Sequence, residues 1–207
     1  MVRPRETDKR LSLAHRAVEV LEKRGLGTSF EQLARELGVN RTTLLYHFPN
    51  HLAIIHTVLG ELLVEQAAFV AERVGEHTHP IDRLYARVRA AWDFHHGRER
   101  RLVFVSQAVA LTGGEAVTEI LKEAAGFFEG DRRALVDQLA RGIEDGTVAP
   151  CDPTALVALA RAVIDGLTLQ SVTSGVDAGA VHELFWRSVL LPLRRTAPTE
   201  RKKGRKK

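Results

Sequence analysis

The amino-acid sequence predicts an all-α protein, in which a small N-terminal domain is joined by a long helix to a larger C-terminal helical domain. Along most of the chain, apolar residues recur at the three- and four-residue spacing of one helix face. Near the N-terminus, only Gly38, Val39 and Asn40 separate two short helical segments, which is the turn length of a helix-turn-helix pair. The segment from His51 to about Val74 follows, and it lacks the clustered Gly, Ser or Pro of a flexible linker.

The composition is that of a water-soluble chain. Its 207 residues are 44% hydrophobic, which suffices for one small and one medium-sized domain. No apolar run approaches the ~18 residues that a membrane span needs, and residues 1–10 lack the apolar core of a signal peptide. The one cysteine, Cys151, excludes an internal disulfide and a multi-cysteine zinc site. We therefore expect a soluble cytoplasmic protein.

The net charge of +4 is unevenly distributed. Residues 1–51 contain nine Lys/Arg and six Asp/Glu, residues 52–193 contain 13 and 19, and residues 194–207 contain eight and one. The body of the chain is therefore acidic and both ends are basic. This pattern argues against a protein that binds nucleic acid over its whole surface. It favours one local DNA-contacting end that is joined to an acidic domain.

The first helix is predicted from Asp8 to about Arg24, with Leu11, Ala14, Val18 and Leu21 on one face. Residues 1–7 are expected to form a flexible arm. In this arm, Arg3 and Arg5 either reach a minor groove or phosphates or remain solvated charge. Gly25 to Gly27 end the helix.

The next two helices have well-defined start and stop signals. Ser29 and Gln32 have the spacing of a capping box, and an apolar stripe follows at Phe30, Leu33, Ala34 and Leu37. Gly38 suits the left-handed end of that helix, and Asn40 suits the N-cap of the next one. These signals predict a helix-turn-helix.

The second of these helices presents a polar face that suits a DNA groove. Once Leu44 and Phe48 are directed inward, the residues that remain outside are Arg41, Thr42, Thr43, Tyr46 and His47. Arginine can hold a guanine through two hydrogen bonds, and threonine offers a hydroxyl and a methyl group to base edges. Tyrosine and histidine suit contact with phosphates or with thymine methyl groups. With Ser29, these residues form the predicted DNA-binding site. A helical hairpin within a larger α-protein is the alternative.

Residues 38–55, GVNRTTLLYHFPNHLAII, resemble the DNA-binding signature of the tetracycline-repressor (TetR) family, approximately G-V-S-x-x-T-L-Y-x-H-F-x-N/S-K-x-x-L. The matching residues are Gly38, Val39, Thr43, Leu44, His47, Phe48 and Asn50. Leu45 stands where the family has tyrosine, and a tyrosine follows at Tyr46. His51 stands where the family has a lysine that approaches a phosphate. The resemblance covers residues 8 to about 55, and it implies a DNA-binding regulator with a variable second domain.

The long helix from near His51 would span ~35 Å at 1.5 Å per residue and act as a stiff connection. His77 and His79 follow in a loop, where the absence of a nearby carboxylate or thiol favours solvated side chains over a metal site. Pro80 suits the first position of the next helix. On that helix, His95 is expected to lie inside the domain or in a pocket.

Further helices are predicted at about 98–111, 115–145, 153–174 and 178–191, with possible breaks at Gly126 and Gly130. The last two carry apolar stripes that include Leu156, Leu159, Val163, Leu167, Val181, Leu184, Phe185 and Leu191. Both helices are apolar on more than one face. Simple burial is one explanation. The other, which we favour, is that two copies pair these helices into a four-helix bundle, as a TetR-like layout implies and a palindromic operator requires.

A small molecule bound among the middle helices would favour a conformation with a different separation of the two DNA-reading helices. The predicted ligand-binding residues are Trp92, His95, Phe104, Phe127, Phe128 and Gln170. Ordinary core packing is the alternative for each of them.

The sequence thus predicts a homodimeric, ligand-responsive transcriptional regulator, most simply a repressor that a small molecule releases from a palindromic operator. Its parts are a helix-turn-helix DNA-binding domain with a basic arm (1–51), a helical effector-binding and dimerisation domain (52–193) and a disordered basic tail (194–207), which attracts DNA or only aids solubility. An effector-independent architectural DNA binder is the first alternative. An α-helical enzyme using the histidines is the second, but the sequence has no recognisable catalytic set, metal-ligand spacing or cofactor motif.

Overall fold

A computed structural model describes residues 4–112, 122 and 126–196 of the chain. Arg3, the side chain of Arg5 and residues 197–207 of the basic tail lie outside this description. The described helices are α1 (Pro4–Arg24), α2 (Phe30–Leu37), α3 (Arg41–His47), α4 (His51–Gly75), α5 (Pro80–His95), α6 (Glu99–Thr112), α7 (Glu129–Glu144), α8 (Pro153–Thr173) and α9 (Ala178–Phe185), followed by a π-helical turn (Trp186–Leu190) and a 3₁₀ turn (Leu191–Leu193). The all-α fold class is confirmed.

Helix α1 begins four residues earlier than the sequence predicts. The expectation of a flexible arm over residues 1–7 is therefore wrong for residues 4–7, which are helical. Pro4 is compatible with the first position of a helix, because the N–H group that it lacks would have no helical partner there. Asp8 places negative charge near the start of the helix, where the helix dipole favours it.

The chain forms two compact units, each with its own apolar core. The first unit comprises Met1–Ala68 and Gly97–Phe128, and the second comprises Phe69–His96 and Glu129–Lys207. These limits differ from the predicted domain limits, because parts of α4 and α6 pack with α1 to α3. Ile55 and Val58 of α4 and Val105 of α6 are buried in the core of the first unit.

Polar pairs reinforce the packing of α1 within the first unit. His15 on α1 pairs with Glu61 on α4. Arg101 on α6 lies 3.3 Å from both Glu19 and Glu22 of α1. Partly exposed pairs of this kind contribute little free energy individually, so burial of the apolar residues is the main source of stability.

In the second unit, α5 packs against α8 and α7. The residue after the 3₁₀ turn, Arg194, is bonded to the first turn of α5. Arg194 donates two hydrogen bonds to the Asp82 carboxylate, at 2.8 and 3.0 Å, which lower the pKa of Asp82. Among the described residues, the one pairing of extended backbone is a single antiparallel bridge between Val148 and Arg194.

The buried faces of the last two helices differ in part from the prediction. Leu156, Leu167 and Phe185 are buried as predicted, but Leu159 is 44% and Leu184 64% exposed. On α9, His182 is buried instead. Both helices are apolar on more than one face, so periodicity alone does not decide which face is buried within one protomer.

Two helices, α4 and α8, are long and apolar enough to cross a membrane by length and composition alone. The expectation that no segment approaches this limit is wrong, because isolated charged residues such as Glu61 and Glu65 hide the apolar character of α4 from a search for uninterrupted runs. Only 22% of the most apolar stretch of α4 and 33% of that of α8 is buried. A single protomer therefore leaves much apolar surface on α8 in contact with solvent.

Two glycines of α7 provide a test of the packing in the second unit. A methyl group on Gly142 would lie 2.6 Å from Val148 Cγ2 and 3.1 Å from Pro80 Cγ, whereas a methyl group on Gly130 would contact nothing within 4 Å. We expect Gly142→Ala to lower the free energy of unfolding by about 1–3 kcal/mol through overpacking. The control Gly130→Ala is expected to raise it slightly, because alanine restricts the unfolded chain. Urea denaturation measures both, and equal effects would contradict the packing described here.

Candidate nucleic-acid interface

The ends of α2 are fixed by the residues that the sequence analysis identified. The Ser29 side chain accepts a hydrogen bond from the Gln32 backbone N–H at 3.2 Å, and Gln32 Oε1 accepts one from the Ser29 N–H at 3.1 Å. This is the predicted capping box. Gly38 ends the helix with φ of 68°, a conformation that costs glycine no steric strain.

Helix α3 starts at the predicted position with one difference in detail. Asn40 occupies the N-cap position with an extended backbone, but its side chain makes no cap hydrogen bond. Burial of Leu44 and of the adjacent Phe48 therefore has the main part in positioning α3. Both side chains are fully buried in the core of the first unit, and the Arg10 guanidinium of α1 lies 5.2 Å from the centre of the Phe48 ring.

The outward face of α3 carries most of the predicted DNA-binding residues. Arg41, Thr42 and Thr43 are exposed, and Tyr46 is 75% exposed. His47 is half-buried, with its ring centre 5.1 Å from that of Tyr46. Together they form a surface with a guanidinium group, two hydroxyls, a phenol and an imidazole, which can donate hydrogen bonds to phosphates and base edges.

Leu45 lies on the same exposed surface and is 38% exposed. It is an apolar side chain among polar ones, on a seven-residue helix whose inward position is taken by Leu44. In a DNA groove, the apolar group that such a side chain can contact is the methyl group of thymine. The position at which the TetR signature has tyrosine thus offers apolar contact here and no hydroxyl group.

His51, the first residue of α4, is packed into the first unit. Its ring centre lies 4.7 Å from that of Phe30, and its Nε2 atom is buried without a hydrogen-bond partner among the described residues. Burial lowers the pKa of His51, and a hydrogen bond involving the Thr28 backbone opposes this effect only in part. The ring is therefore stable in its neutral form. Asn50 caps the same helix by accepting a hydrogen bond from the Ala53 N–H at 2.9 Å.

The predicted ligand-binding residues fall into both units. Phe104 packs against the core of the first unit. Phe127 and Phe128 also belong to the first unit, and their ring centres are 5.0 Å apart. In the second unit, His95 is buried, as predicted, and Trp92 is half-buried.

Gln170, on α8 in the second unit, has an exposed side chain. Two surface clefts of the second unit, of about 540 and 450 Å³, are lined by other residues and include neither Trp92, His95 nor Gln170.

The sequence analysis did not identify His182, which is 1% exposed on α9. Its ring centre lies 5.9 Å from that of Trp92, and neither ring nitrogen has a hydrogen-bond partner among the described residues. Burial lowers the pKa of His182, and the nearby charge of Arg89 adds to this effect while Asp93 opposes it. Apolar periodicity could not indicate this residue, because histidine does not count toward an apolar stripe.

His79 illustrates a structural role that differs from the solvated loop residue expected. Its Nδ1 atom accepts a hydrogen bond from the Ile81 N–H at 3.1 Å. Its Nε2 atom lies 3.0 Å from the carbonyl oxygen of Thr147 and 3.1 Å from that of Arg195. The Nδ1 atom thus caps the start of α5, and the Nε2 atom connects it to two distant backbone segments.

Comparison with known proteins agrees with this architecture. Residues 13–58 match the family of bacterial regulatory proteins described as the tetR family. The transcriptional regulator RutR of Escherichia coli K12 is 30% identical over 138 residues, which cover 63% of this chain and 59% of RutR. The chain thus matches less than two thirds of that relative's length.

Two solved structures have the same fold. The TetR-family regulator PfmR of Thermus thermophilus superposes with a TM-score of 0.68 at 19% identity, over 84% of this chain and 97% of PfmR. AibR, solved with isovaleryl coenzyme A and operator DNA, superposes with a TM-score of 0.64 at 17% identity, over 87% of this chain and 98% of AibR.

The fold and the exposed α3 define an all-α protein with an N-terminal helix-turn-helix. Over residues 13–58, the chain is similar to the tetR family of bacterial regulatory proteins. Two of the proteins named above, RutR and PfmR, are described as transcriptional regulators.

The two buried histidines generate a prediction about pH. Because burial lowers the pKa of His51 and of His182, the folded state favours the neutral rings. The unfolded chain takes up protons near the ordinary value of about 6.5. The free energy of unfolding should therefore be highest above about pH 7 and fall as the pH is lowered through and below 6.5.

Urea denaturation at pH 7.5 and pH 5.5 measures this effect. The variant His182→Leu replaces an unpartnered buried ring by an apolar side chain, and we expect it to lose less stability than the natural chain on acidification. A natural chain that is equally or more stable at pH 5.5 would contradict the described environment of these rings.

Proposed function

We propose that this protein is a homodimeric, sequence-specific DNA-binding transcriptional regulator, a repressor that a small molecule releases from a palindromic operator. The observation that carries the proposal is the exposure of Arg41, Thr42, Thr43 and Tyr46 on a helix that Leu44 and Phe48 anchor. A buried anchor fixes the orientation of the exposed groups, as a base-reading surface requires. The similarity of residues 13–58 to the tetR family of bacterial regulatory proteins supports the same function.

The proposed DNA site consists of Ser29 and the exposed residues of α3. Ser29 lies at the start of α2, where it is exposed and fixed by its capping box. Arg41 and the two threonines are proposed to contact base edges, and Tyr46 and His47 to contact phosphates or thymine methyl groups. His51 takes no part as a cation, because its ring is packed against Phe30.

The proposed dimer interface is an apolar stripe on α8. Leu159, Ala162, Gly166 and Leu169 follow one another at three- and four-residue spacing, so they share one helix face. Leu159 and Leu169 are 44% and 50% exposed, and small residues lie between them. Leu184 of α9 is 64% exposed. An unburied stripe of this kind on a helix suits pairing with the same stripe of a second copy, which would give the twofold axis that a palindromic operator requires.

The effector is proposed to bind in the second unit, where His95 is buried and Trp92 is half-buried. AibR was solved with a small molecule and with operator DNA, which supports a ligand-responsive regulator of the same fold. An effector shifts the equilibrium between two conformations only to the extent that it binds one of them more tightly than the other. We propose a cytoplasmic location, no enzymatic activity and no membrane insertion for such a regulator.

Replacement of Arg41 tests base reading. If Arg41 holds a guanine, Arg41→Ala should lose ~1–3 kcal/mol of discrimination at one base pair of each half-site. Competition binding to operators with single base-pair changes measures this loss. A uniform loss across all operators, with a smaller dependence on salt, would assign Arg41 to a phosphate.

A charge in the α8 stripe tests dimerisation. Leu169→Lys would bury an unpaired charge between two copies, at a cost of about 3–5 kcal/mol, and should weaken dimerisation roughly a hundredfold or more. The matched control is Arg161→Ala on the same helix, which removes an exposed pair with Asp165 at 2.8 Å and should leave dimerisation nearly unchanged. Sedimentation equilibrium measures both, and a stable Leu169→Lys dimer would remove this stripe from the interface.

A further inference from the structure

The larger of the two clefts in the second unit lies where the start of α5 meets the end of α7. It encloses about 540 Å³ and is lined by Thr78, His79, Pro80, Arg83, Gln138, Arg141, Gly142, Asp145 and Thr147. Sites for small molecules have volumes of about 300–1,000 Å³. None of the residues that we propose for operator or effector contact lies in this cleft.

Two buried polar atoms belong to the lining of the cleft and have no partner. The Nε atom of Arg83 and the Oε1 atom of Gln138 are both inaccessible to solvent and without a hydrogen bond among the described residues. The Nη1 atom of Arg83 donates a hydrogen bond to the His77 carbonyl oxygen at 3.0 Å. Buried polar groups are nearly always hydrogen-bonded in folded proteins. One donor and one acceptor are thus left unused beside the same cleft.

The charge of the lining favours an anion. Arg83 and Arg141 contribute two positive charges and Asp145 one negative charge. Guanidinium groups suit planar or tetrahedral oxyanions, to which they can donate parallel hydrogen bonds. The Oε1 atom of Gln138 accepts hydrogen bonds and repels an oxyanion, so a ligand must place a hydroxyl or an N–H group there.

The frame of the cleft is tightly packed. His79 is fixed by the hydrogen bonds of both ring nitrogens. The Thr147 hydroxyl donates to the Gly142 carbonyl oxygen at 3.1 Å, and Gly142 has no space for a side chain because of Val148. A rigid frame limits the conformational entropy that is lost when a ligand binds.

We propose that this cleft binds a small organic anion in which an oxyanion group and a hydroxyl group are close together. The oxyanion accepts hydrogen bonds from the guanidinium groups of Arg83 and Arg141, and the hydroxyl donates to Gln138 Oε1. Because Arg83 Nε and Gln138 Oε1 are inaccessible to solvent, the side chains of Arg83 and Gln138 rotate toward the ligand when it binds. A hydroxycarboxylate and a polyol phosphate share this chemistry. The site does not depend on operator binding, so its test uses the full chain without DNA.

Isothermal titration calorimetry with four probes tests the proposal. Glycerate and glycerol 3-phosphate carry both groups, propionate lacks the hydroxyls and glycerol lacks the charge. We expect glycerate, glycerol 3-phosphate or both to bind more tightly than the other two, and the stronger of them identifies the oxyanion as carboxylate or phosphate. If neither glycerate nor glycerol 3-phosphate binds, the proposal is overturned. It is also overturned if propionate or glycerol binds as tightly as these two probes.

Substitutions of Arg83 and Gln138 test whether these side chains bind the probes. Arg83→Gln should weaken binding about tenfold to a hundredfold, since it removes hydrogen bonds from a charged donor. Gln138→Leu should reduce the preference for glycerate over propionate towards unity. Arg133→Gln is the matched control, because Arg133 is exposed on α7 and pairs with Glu129 at 2.8 Å, away from the cleft.

Circular dichroism establishes that each variant is folded. If Arg83→Gln does not fold, Arg83→Lys keeps the positive charge but lacks the Nε atom, and it should also weaken binding. Unchanged affinity in a folded Arg83 variant, or equal losses in Arg83→Gln and in the Arg133→Gln control, would contradict the assignment of this cleft.

Discussion

Burial of Leu44 and Phe48 in the core of the first unit is the constraint on which the remaining features of the proposed DNA-contacting surface depend. Helix α3 has only seven residues, too few to be stable on its own in water. Its Asn40 cap makes no side-chain hydrogen bond. The two buried side chains therefore supply the free energy that keeps α3 helical, and by filling its inward face they leave Arg41, Thr42, Thr43 and Tyr46 facing solvent.

The surface departs from the TetR signature in a physically consistent way. At position 51, an imidazole replaces the family's lysine, and its ring is packed on Phe30 with a lowered pKa. This position therefore has no exposed positive charge for a phosphate. At position 45, a half-exposed leucine replaces the family's tyrosine. Both changes reduce hydrogen bonding or charge next to the exposed residues of α3. In the proposed DNA complex, a larger share of the contact would therefore come from Arg41, the threonines and Tyr46.

Local signals in the sequence were sufficient for the helix-turn-helix. The Ser29–Gln32 capping box, the left-handed Gly38 and the buried pair Leu44 and Phe48 all depend on residues within a few positions of one another. The start of α8 at Asp152 and Pro153 was predictable for the same reason. The beginning of α1 was misplaced, because Pro4 was taken as part of an arm when it can equally well begin a helix.

Features that depend on distant residues could not be predicted. His79 is bonded to the backbone of Thr147 and Arg195, and Asp82 to Arg194, which are 68 to 116 residues away in the chain. The unpaired atoms of Arg83 and Gln138 become apparent only when the whole cleft is known. On α9, the π-helical turn that follows Phe185 and the apolar character of several faces concealed which face is buried.

The central claim is that two copies of α3 read DNA across a twofold axis. Selection of bound duplexes from a random pool by the full-length protein tests it most directly. The account predicts enrichment of one palindromic sequence, with the centres of its half-sites about one helical turn, ~34 Å, apart. Recovery of duplexes with no common sequence, or of a single half-site without a symmetric partner, would contradict it.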